Sequence, residues 1–242
     1  MRSATRTLAA CVFVLLALVF ARGLRAADEA GFESLFDGKT LAGWKGPDMS
    51  FWSIEDGAIT GAIRRDHAPT MNQYLVWQGG KIDDFDLKLK FRLTGSDTAA
   101  TNGGFQFRSK LLPDFDVAGY QVDNNFGQKD WKVRLYDEFG RHTLAFEGKR
   151  TEIDAEGKMH TTDLALDQGA RDFRLDEWHE YHLICRGPHQ VLKVNGHTVA
   201  EVIDNDPKQQ DFAGILALQL HTGPPQKAQF KDIRLKRLKT GR

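Results

Sequence analysis

The sequence predicts an all-β fold in which two antiparallel sheets pack face to face as a sandwich or jelly roll. Hydrophobic and polar residues alternate with a period of two in many short segments, and 23 glycines are spread over the 242 residues. No segment has the pattern of a long helix. Hydrophobic residues make up 41% and charged residues 27%, which is typical of a globular protein and excludes intrinsic disorder and coiled coil.

The first predicted strands, residues 51–55 and 58–63, form a hairpin through Asp56-Gly57, a dipeptide typical of two-residue turns. Residues 84–93 alternate most clearly, because every odd position is hydrophobic and every even position is charged. One face of this strand covers a core and the other meets water.

Further strands are expected on both sides of a less regular region, residues 137–176, which is interpreted as long loops or short hairpins overhanging a sheet. A second hairpin joins residues 190–194 to 198–203 through Asn195-Gly196. The remaining predicted strands are residues 104–109, 119–123, 132–137, 179–186, 214–221 and 229–238. A dozen short strands without helical crossovers indicate antiparallel sheets.

The N-terminus has the features of a secretion signal. Arg2 and Arg6 precede the hydrophobic residues 8–20, and small residues around Ala26 and Ala27 offer a cleavage site. The hydrophobic stretch is too short to span a bilayer comfortably. We therefore expect residues 1–26 to be removed and residues 27–242 to form one exported domain, periplasmic or secreted, without a membrane span.

Charge and cysteine content exclude two further classes. The 33 basic residues equal the 33 acidic ones, and removal of residues 1–26 takes away four arginines and no acid. Nucleic-acid binding would need a basic surplus, so it is not expected. Cys185 is then the only cysteine, which excludes an internal disulfide, and its apolar segment predicts a buried side chain without a catalytic role.

The alternation also predicts a polar sheet face rich in amides and other shape-specific groups. Its members are Gln106, Arg108, Gln121, Asp123, Gln219 and His221. Such groups suit sugar hydroxyls, and Trp131 or Tyr136 would supply an apolar platform for a ring. A solvated outer sheet is the alternative, because a register error of one residue reverses every assignment.

Two acidic segments are candidate sites of chemistry. Residues 136–142 combine Tyr136, Asp137, Glu138, Arg141 and His142, either as a catalytic or metal-binding cluster or as a charged turn around Gly140. The alternate acids Glu152, Asp154 and Glu156 resemble the signature of retaining β-glucanases. Alternate strand positions lie roughly 6.6 Å apart, wider than the about 5–5.5 Å of a retaining pair, which favours a charged hairpin end.

An ordered set of short blocks covers nearly all of the predicted mature chain. The blocks are residues 31–44, 52–61, 85–93, 102–109, 119–123, 178–181, 194–196 and 214–221. Together they resemble the 3-keto-disaccharide hydrolase domain family. This resemblance implies a concanavalin A-like or laminin-G-like jelly roll, in agreement with the fold that the alternation predicts.

The resemblance implies a glycoside substrate whose C3 hydroxyl has been oxidised to a ketone by a separate sugar C3 oxidoreductase. The ketone acidifies the C2 proton, so a base can remove it. The enolate is then stabilised electrostatically, the aglycone leaves from C1, and water adds, so that the net reaction is hydrolysis.

For this chemistry the candidate catalytic residues are His221, Asp123 and Glu138. His221 or Asp123 is the candidate base, and Glu138 or His142 is a candidate second acid or metal ligand. The candidate substrate-binding residues are Gln106, Arg108, Gln121, Trp131, Tyr136, Arg141, His142 and Gln219. No cofactor is certain, but a divalent metal ion held by Asp123, Glu138 or His221 would polarise an enediolate. A non-catalytic, lectin-like domain and a direct β-glucanase are the alternative functions.

Overall fold

The expected strands are present and assemble into two sheets. A computed structural model describes residues 30–97, 99–166 and 168–239, so the predicted secretion signal lies outside the described residues. The strands are β1 Glu33–Ser34, β2 Trp44–Lys45, β3 Trp52–Glu55, β4 Ala58–Ile63, β5 Gln73–Trp77, β6 Phe85–Gly95, β7 Asn102–Leu111, β8 Val117–Asn125, β9 Val133–Glu138, β10 His142–Phe146, β11 Lys149–Ile153, β12 Met159–Asp163, β13 His179–Arg186, β14 His189–Val194, β15 His197–Asp204, β16 Ile215–Leu220 and β17 Gln226–Arg237.

Helical structure in the described part of the chain is limited to short segments. These are two 3-10 turns, Met49–Phe51 and Pro113–Phe115, and one α-helix, α1, at Gln168–Arg171. Across the described ranges, no helix has the length and apolar character needed to cross a membrane.

The first sheet has ten strands, in the order β12-β11-β15-β14-β13-β6-β17-β4-β3, with β1 paired to β17. The second has seven strands, in the order β10-β9-β8-β7-β16-β5-β2. β11 and β15 pair in parallel, and the other strand pairs described are antiparallel. The predicted all-β sandwich of two antiparallel-rich sheets is confirmed.

The inner faces of the two sheets enclose one large hydrophobic core. The odd-numbered residues 85–93 of β6 are at most 1% exposed, as the alternation predicts. Phe85 packs edge-on against Phe107 of the facing sheet, with 6.2 Å between the ring centroids. Cys185 lies in the same core, where burial raises the pKa of its thiol to about 12, so its interpretation as a buried hydrophobic side chain is confirmed.

The turns that the sequence predicts have the expected backbone. Asp56 and Gly57 both have positive φ, at 50° and 73°, and so do Asn195 and Gly196, at 50° and 86°. This conformation matches the twist of the strands that each turn connects.

The acidic segment that resembles a β-glucanase signature forms the end of the β11–β12 hairpin. The Asp154 carboxylate accepts hydrogen bonds from the backbone N–H groups of Glu156 and Lys158, at 3.1 and 2.9 Å. It also lies 2.8 Å from His160 Nε2. These acids therefore shape an exposed turn at the edge of the ten-stranded sheet, which is the charged hairpin end that the spacing favours.

Candidate functional site

Two rows of residues cross the outer face of the seven-stranded sheet, and paired positions on neighbouring strands point to the same side. The first row is Tyr74, Gln219, Gly104, Asp123 and Arg134, and the second is Val76, Ala217, Gln106, Gln121 and Tyr136. Four of the six polar residues expected to share a face, Gln106, Gln121, Asp123 and Gln219, are thus brought together.

Three glutamines at the centre of these rows each have one buried amide atom without a hydrogen-bond partner. Gln106, Gln121 and Gln219 are only 0%, 2% and 1% exposed. Nε2 of Gln106, Nε2 of Gln121 and Oε1 of Gln219 have no hydrogen-bond partner among the described residues. A buried amide atom without a partner costs roughly 1–3 kcal/mol, so three such atoms on adjacent strands call for a partner that the described residues do not supply.

The other amide atoms of this group are held by neighbours. Gln106 Oε1 accepts a hydrogen bond from Ser109 Oγ at 3.2 Å, and Gln219 Nε2 donates to the Tyr74 hydroxyl at 3.2 Å. Gly104 occupies the position between Gln219 and Asp123, where a Cβ atom would lie 2.0 Å from the backbone oxygen of Val122. Two of the glutamines are therefore held in place, and the position of Gly104 leaves no room for a side chain.

Asp123 is part of an ion pair. Its two oxygens accept hydrogen bonds from Asn102 Nδ2 at 3.0 Å and from Arg134 Nε at 2.6 Å. Asp123 therefore holds Arg134 and Asn102 in place, and its expected role as a base stays a prediction.

Arg134 is not identified in the sequence analysis, although it alternates with Tyr136 and Glu138 along β9 and therefore faces the same side of the sheet. Its guanidinium lies between two aromatic rings, 4.6 Å from the centroid of Trp131 and 4.2 Å from that of Tyr136. Nη1 donates to Thr143 Oγ1 at 2.8 Å. The two expected aromatic platforms therefore lie beside the polar rows and are held by a shared arginine.

Glu138 is the residue of this face best suited to acid–base chemistry. Burial is the main cause that raises its pKa to about 7, the negative charges of Asp123 and Asp116 add to the rise, and Arg134 opposes it. A carboxyl group with a pKa near neutrality can both accept and donate a proton at physiological pH.

The charge of Glu138 also acts on a residue of the polar rows. Burial is the main cause of the raised pKa of Tyr74, and the charge of Glu138 adds to that rise. Three strands lie between β5, which carries Tyr74, and β9, which carries Glu138.

The two expected histidines lie at the ends of the face. His221 follows β16 directly, and its Nδ1 lies 2.6 Å from the carbonyl oxygen of Thr222. A carbonyl only accepts hydrogen bonds, so Nδ1 carries the proton and Nε2 of the neutral ring is the basic nitrogen. His142, exposed at the start of β10, has its Nδ1 2.9 Å from the Tyr136 hydroxyl.

Arg108 does not lie on this face, contrary to expectation. The register between β7 and β8 shifts between Gln106 and Lys110, and Arg108 has a positive φ of 48°, so a bulge turns its side chain away. The guanidinium is 1% exposed and donates to Asp83 O, Gly187 O and Asp84 Oδ1 at 2.7, 2.7 and 2.9 Å. It ties the two sheets together, and its donors are engaged there and not on the outer face.

Arg141 is also structural. Its Nε donates to Asp137 Oδ2 at 2.9 Å, and Nη1 and Nη2 donate to the two carboxylate oxygens of Asp204 at 2.9 and 2.6 Å. Asp204 lies at the end of β15 in the other sheet and also accepts a hydrogen bond from the Tyr120 hydroxyl. Arg141 was expected to bind substrate, whereas the structure shows its donors engaged between the sheets.

The three candidate metal ligands do not lie together in one cluster. Within residues 30–97, 99–166 and 168–239, no group of three or more His, Cys, Asp or Glu side chains is arranged to hold a metal ion. Asp123 is occupied by Asn102 and Arg134, whereas Glu138 and His221 follow opposite ends of the strands.

The two sheets form a jelly roll, and the seven-stranded sheet carries an outer face lined with amide side chains. The family described as the 3-keto-alpha-glucoside-1,2-lyase-like domain matches residues 31–236, and the chain belongs to it. The resemblance that the sequence blocks carry is thereby confirmed, and family membership supports a carbohydrate-related function. No curated protein matches the chain significantly.

Solved structures with a similar fold come from several carbohydrate-related proteins. A candidate glycosyl hydrolase from Parabacteroides distasonis is 19% identical, with 86% of this chain and 94% of that chain covered and a TM-score of 0.54. The carbohydrate-binding module CBM66 from Bacillus subtilis is 13% identical (80% and 95% covered, TM-score 0.51). A β-1,3-1,4-glucanase derived from a mouse hindgut metagenome is also 13% identical (85% and 97% covered, TM-score 0.51). At these identities the similarity establishes the fold alone.

Proposed function

We propose that this protein is an enzyme that cleaves glycosides whose sugar carries a ketone at C3. The observation that carries the proposal is the group of three buried glutamines with open amide atoms beside Glu138. Open donors and acceptors suit a sugar ring, and a carboxyl group with a pKa of about 7 suits proton transfer. Family membership favours the 3-keto-glycoside over an unoxidised one.

We assign Gln106 and Gln121 as hydrogen-bond donors to the oxygen of the C3 ketone. They are Cα partners on β7 and β8, and both have an open Nε2 donor. Two donors on one oxygen stabilise the charge that develops there when the neighbouring C–H bond breaks. The open acceptors Gln219 Oε1 and Asn102 Oδ1 are assigned to sugar hydroxyls.

Glu138 is assigned to proton transfer. The ionised carboxylate takes the C2 proton, and the electron pair of the C–H bond forms the enolate with the C3 oxygen. The enolate collapses with cleavage of the C1–O bond, and the departing oxygen takes a proton from Glu138. Water then adds its hydroxyl to C1 and a proton to C2, which gives the 3-keto sugar and the free aglycone.

His221 is the second candidate base, because its Nε2 is basic in the neutral ring. We favour Glu138, because it lies two residues along β9 from Tyr136, the partner of Gln121, and burial raises its pKa to about 7. We further propose that the substrate comes from a separate sugar C3 oxidoreductase, and the expected secretion signal supports a reaction in the periplasm or outside the cell.

The test uses purified residues 27–242 with a matched pair, a glycoside and its 3-keto derivative, and follows the released aglycone. We expect release from the keto form only, and at least a 100-fold lower kcat in Glu138→Gln. Glu152→Gln, on the exposed strand β11, is the matched control and should keep full turnover. If wild type cleaves the unoxidised glycoside and Glu152→Gln abolishes this cleavage, the result would instead support a direct glycosidase.

A carbohydrate-binding domain without turnover is the second candidate function. Open buried amides and the rings of Trp131 and Tyr136 beside Arg134 suit binding alone as well as catalysis. Saturable binding of the keto-glycoside without any product would favour this function.

A further inference from the structure

We propose that the turn between β9 and β10 forms a leaving-group subsite in which Phe139 is the platform for one planar aromatic ring. The proposal rests on the proposed function, because it identifies the class of aglycone that this site accepts. The proposed substrate class is therefore aryl 3-keto-glycosides.

Phe139 is presented to solvent in an unfavourable conformation. Its side chain is 62% exposed, the largest value among the exposed large hydrophobic residues described. Its backbone has a positive φ of 59°, which is uncommon for a bulky residue and persists only where the surroundings impose it. An exposed apolar residue alone is ordinary, but one held in a strained conformation calls for a physical cause.

The cause is a buried network that fixes the turn. Gly140 N–H donates to the backbone oxygen of Asp137 at 3.2 Å, and a Cβ atom at Gly140 would lie 2.5 Å from the Asp137 carboxyl group. Arg141 binds Asp137 Oδ2 through both its backbone N–H and its Nε. Two further bonds join Arg141 to Asp204 of the other sheet. The ring of Phe139 therefore projects from a rigid base, as a preorganised binding platform requires.

A pocket of about 220 Å³ lies against this turn and opens to solvent, and its walls include Phe139, Glu138, Gly119, Lys110 and Asp211. Its lining is mixed, because Lys110 and Asp211 form an ion pair with 2.8 Å between their charged atoms. A volume of about 150 Å³ is enough for a benzene ring, so the pocket has room for a single ring against Phe139.

The pocket adjoins the proposed reaction centre at Glu138. Gly119 is the Cα partner of Glu138, and Gln121 and Tyr136 lie two residues further along the same strands. Two residues of a strand span roughly 6.8 Å, so a sugar over Gln121 places its neighbouring ring near Phe139. The glycosidic oxygen then lies beside Glu138, which donates the proton as the C1–O bond breaks and the bonding electrons pass to that oxygen.

The experiment compares phenyl and methyl 3-keto-glucosides as substrates of wild type, Phe139→Ala and Phe32→Ala. Phe32 lies against Lys88 and Lys236 on the other sheet and is the matched aromatic control. For Phe139→Ala we expect at least a tenfold lower kcat/KM with the phenyl substrate and less than a twofold change with the methyl substrate. Phe32→Ala should leave both values unchanged.

A binding measurement separates this proposal from the proposed function. Unoxidised phenyl glucoside, which we expect not to be turned over, is titrated into each variant, and the melting temperature confirms that each is folded. Tenfold weaker binding to Phe139→Ala, with unchanged binding to Phe32→Ala, would support the subsite. If wild type cleaves neither keto substrate, the proposed function is wrong, but this binding result would still support the subsite. Equal effects of Phe139→Ala on both substrates, or unchanged binding of phenyl glucoside, would overturn the subsite.

Discussion

Replacing Glu138 with Gln tests the electrostatics of the outer face of the seven-stranded sheet without any substrate. Glutamine has nearly the same shape but cannot ionise. The folded protein raises the pKa of Glu138 from 4.5 to about 7. This difference corresponds to about 3 kcal/mol at 1.36 kcal/mol per unit, and partial contact with solvent reduces it to about 1–2 kcal/mol.

The sign of the effect depends on pH. Because the folded pKa is above the unfolded one, folding favours the protonated carboxyl group. The stability that this provides is complete below about pH 4.5 and is lost as the pH rises through about 7. Glu138→Gln should therefore equal wild type in stability at pH 4 and exceed it by about 1–2 kcal/mol at pH 8.5.

Urea unfolding followed by tryptophan fluorescence at pH 4 and pH 8.5 measures this difference. For a domain of this size, 1 kcal/mol shifts Tm by roughly 2–4 °C, so thermal unfolding provides a second measurement. Glu152→Gln, on exposed β11, is the control and should show no gain at either pH. A Glu138→Gln variant that is no more stable than wild type at pH 8.5 would refute the reasoning.

Four further predictions concern the same face and its support. Arg108→Met should lower the free energy of unfolding by about 3–5 kcal/mol in urea titrations, because it removes one partner of a buried ion pair, with turnover per folded molecule unchanged. Gln121→Ala should lower kcat about 100-fold or more in steady-state assays, with little change in Tm. In wild type, kcat/KM should rise with pH up to about 7, and Glu138→Gln should lack this rise. Gly104→Ala should lower Tm by several degrees, because its Cβ would lie 2.0 Å from Val122 O.

Much of the sandwich could be predicted because its strands have one buried and one solvated face. β6 is the clearest case, since its alternation is complete and its hydrophobic positions are all in the core. β5 was not identified, because Gln73–Trp77 is buried on both faces through most of its length and does not alternate. β10 to β12 lie in the region that the sequence predicts as long loops or short hairpins. These strands are short and largely polar, so their sequences show no clear alternation.

Part of the site could be predicted from the alternation of side-chain direction along each strand, and the residues that were placed wrongly have a local explanation. Gln106 and Gln121 follow the alternation and share a face. Arg108 follows the same alternation in the sequence, but the β-bulge between Gln106 and Lys110 reverses its direction. A bulge depends on the fit between two strands, so the pattern of one strand does not reveal it. The partners of Arg141 lie on another strand and another sheet, which sequence spacing does not reveal either.

The charge state of the face indicates what kind of ligand it can hold. Asp123 and Arg134 neutralise each other, and Glu138 has its pKa raised by burial so that its proton is largely retained below neutrality. The atoms left open are those of neutral amides, two donors on Gln106 and Gln121 and acceptors on Gln219 and Asn102. A phosphate or carboxylate would need unpaired cations at this position, whereas a neutral ligand with hydroxyl and carbonyl groups can satisfy all four atoms. The electrostatics of the face therefore favour a neutral sugar, and the paired donors favour one with a carbonyl oxygen between Gln106 and Gln121.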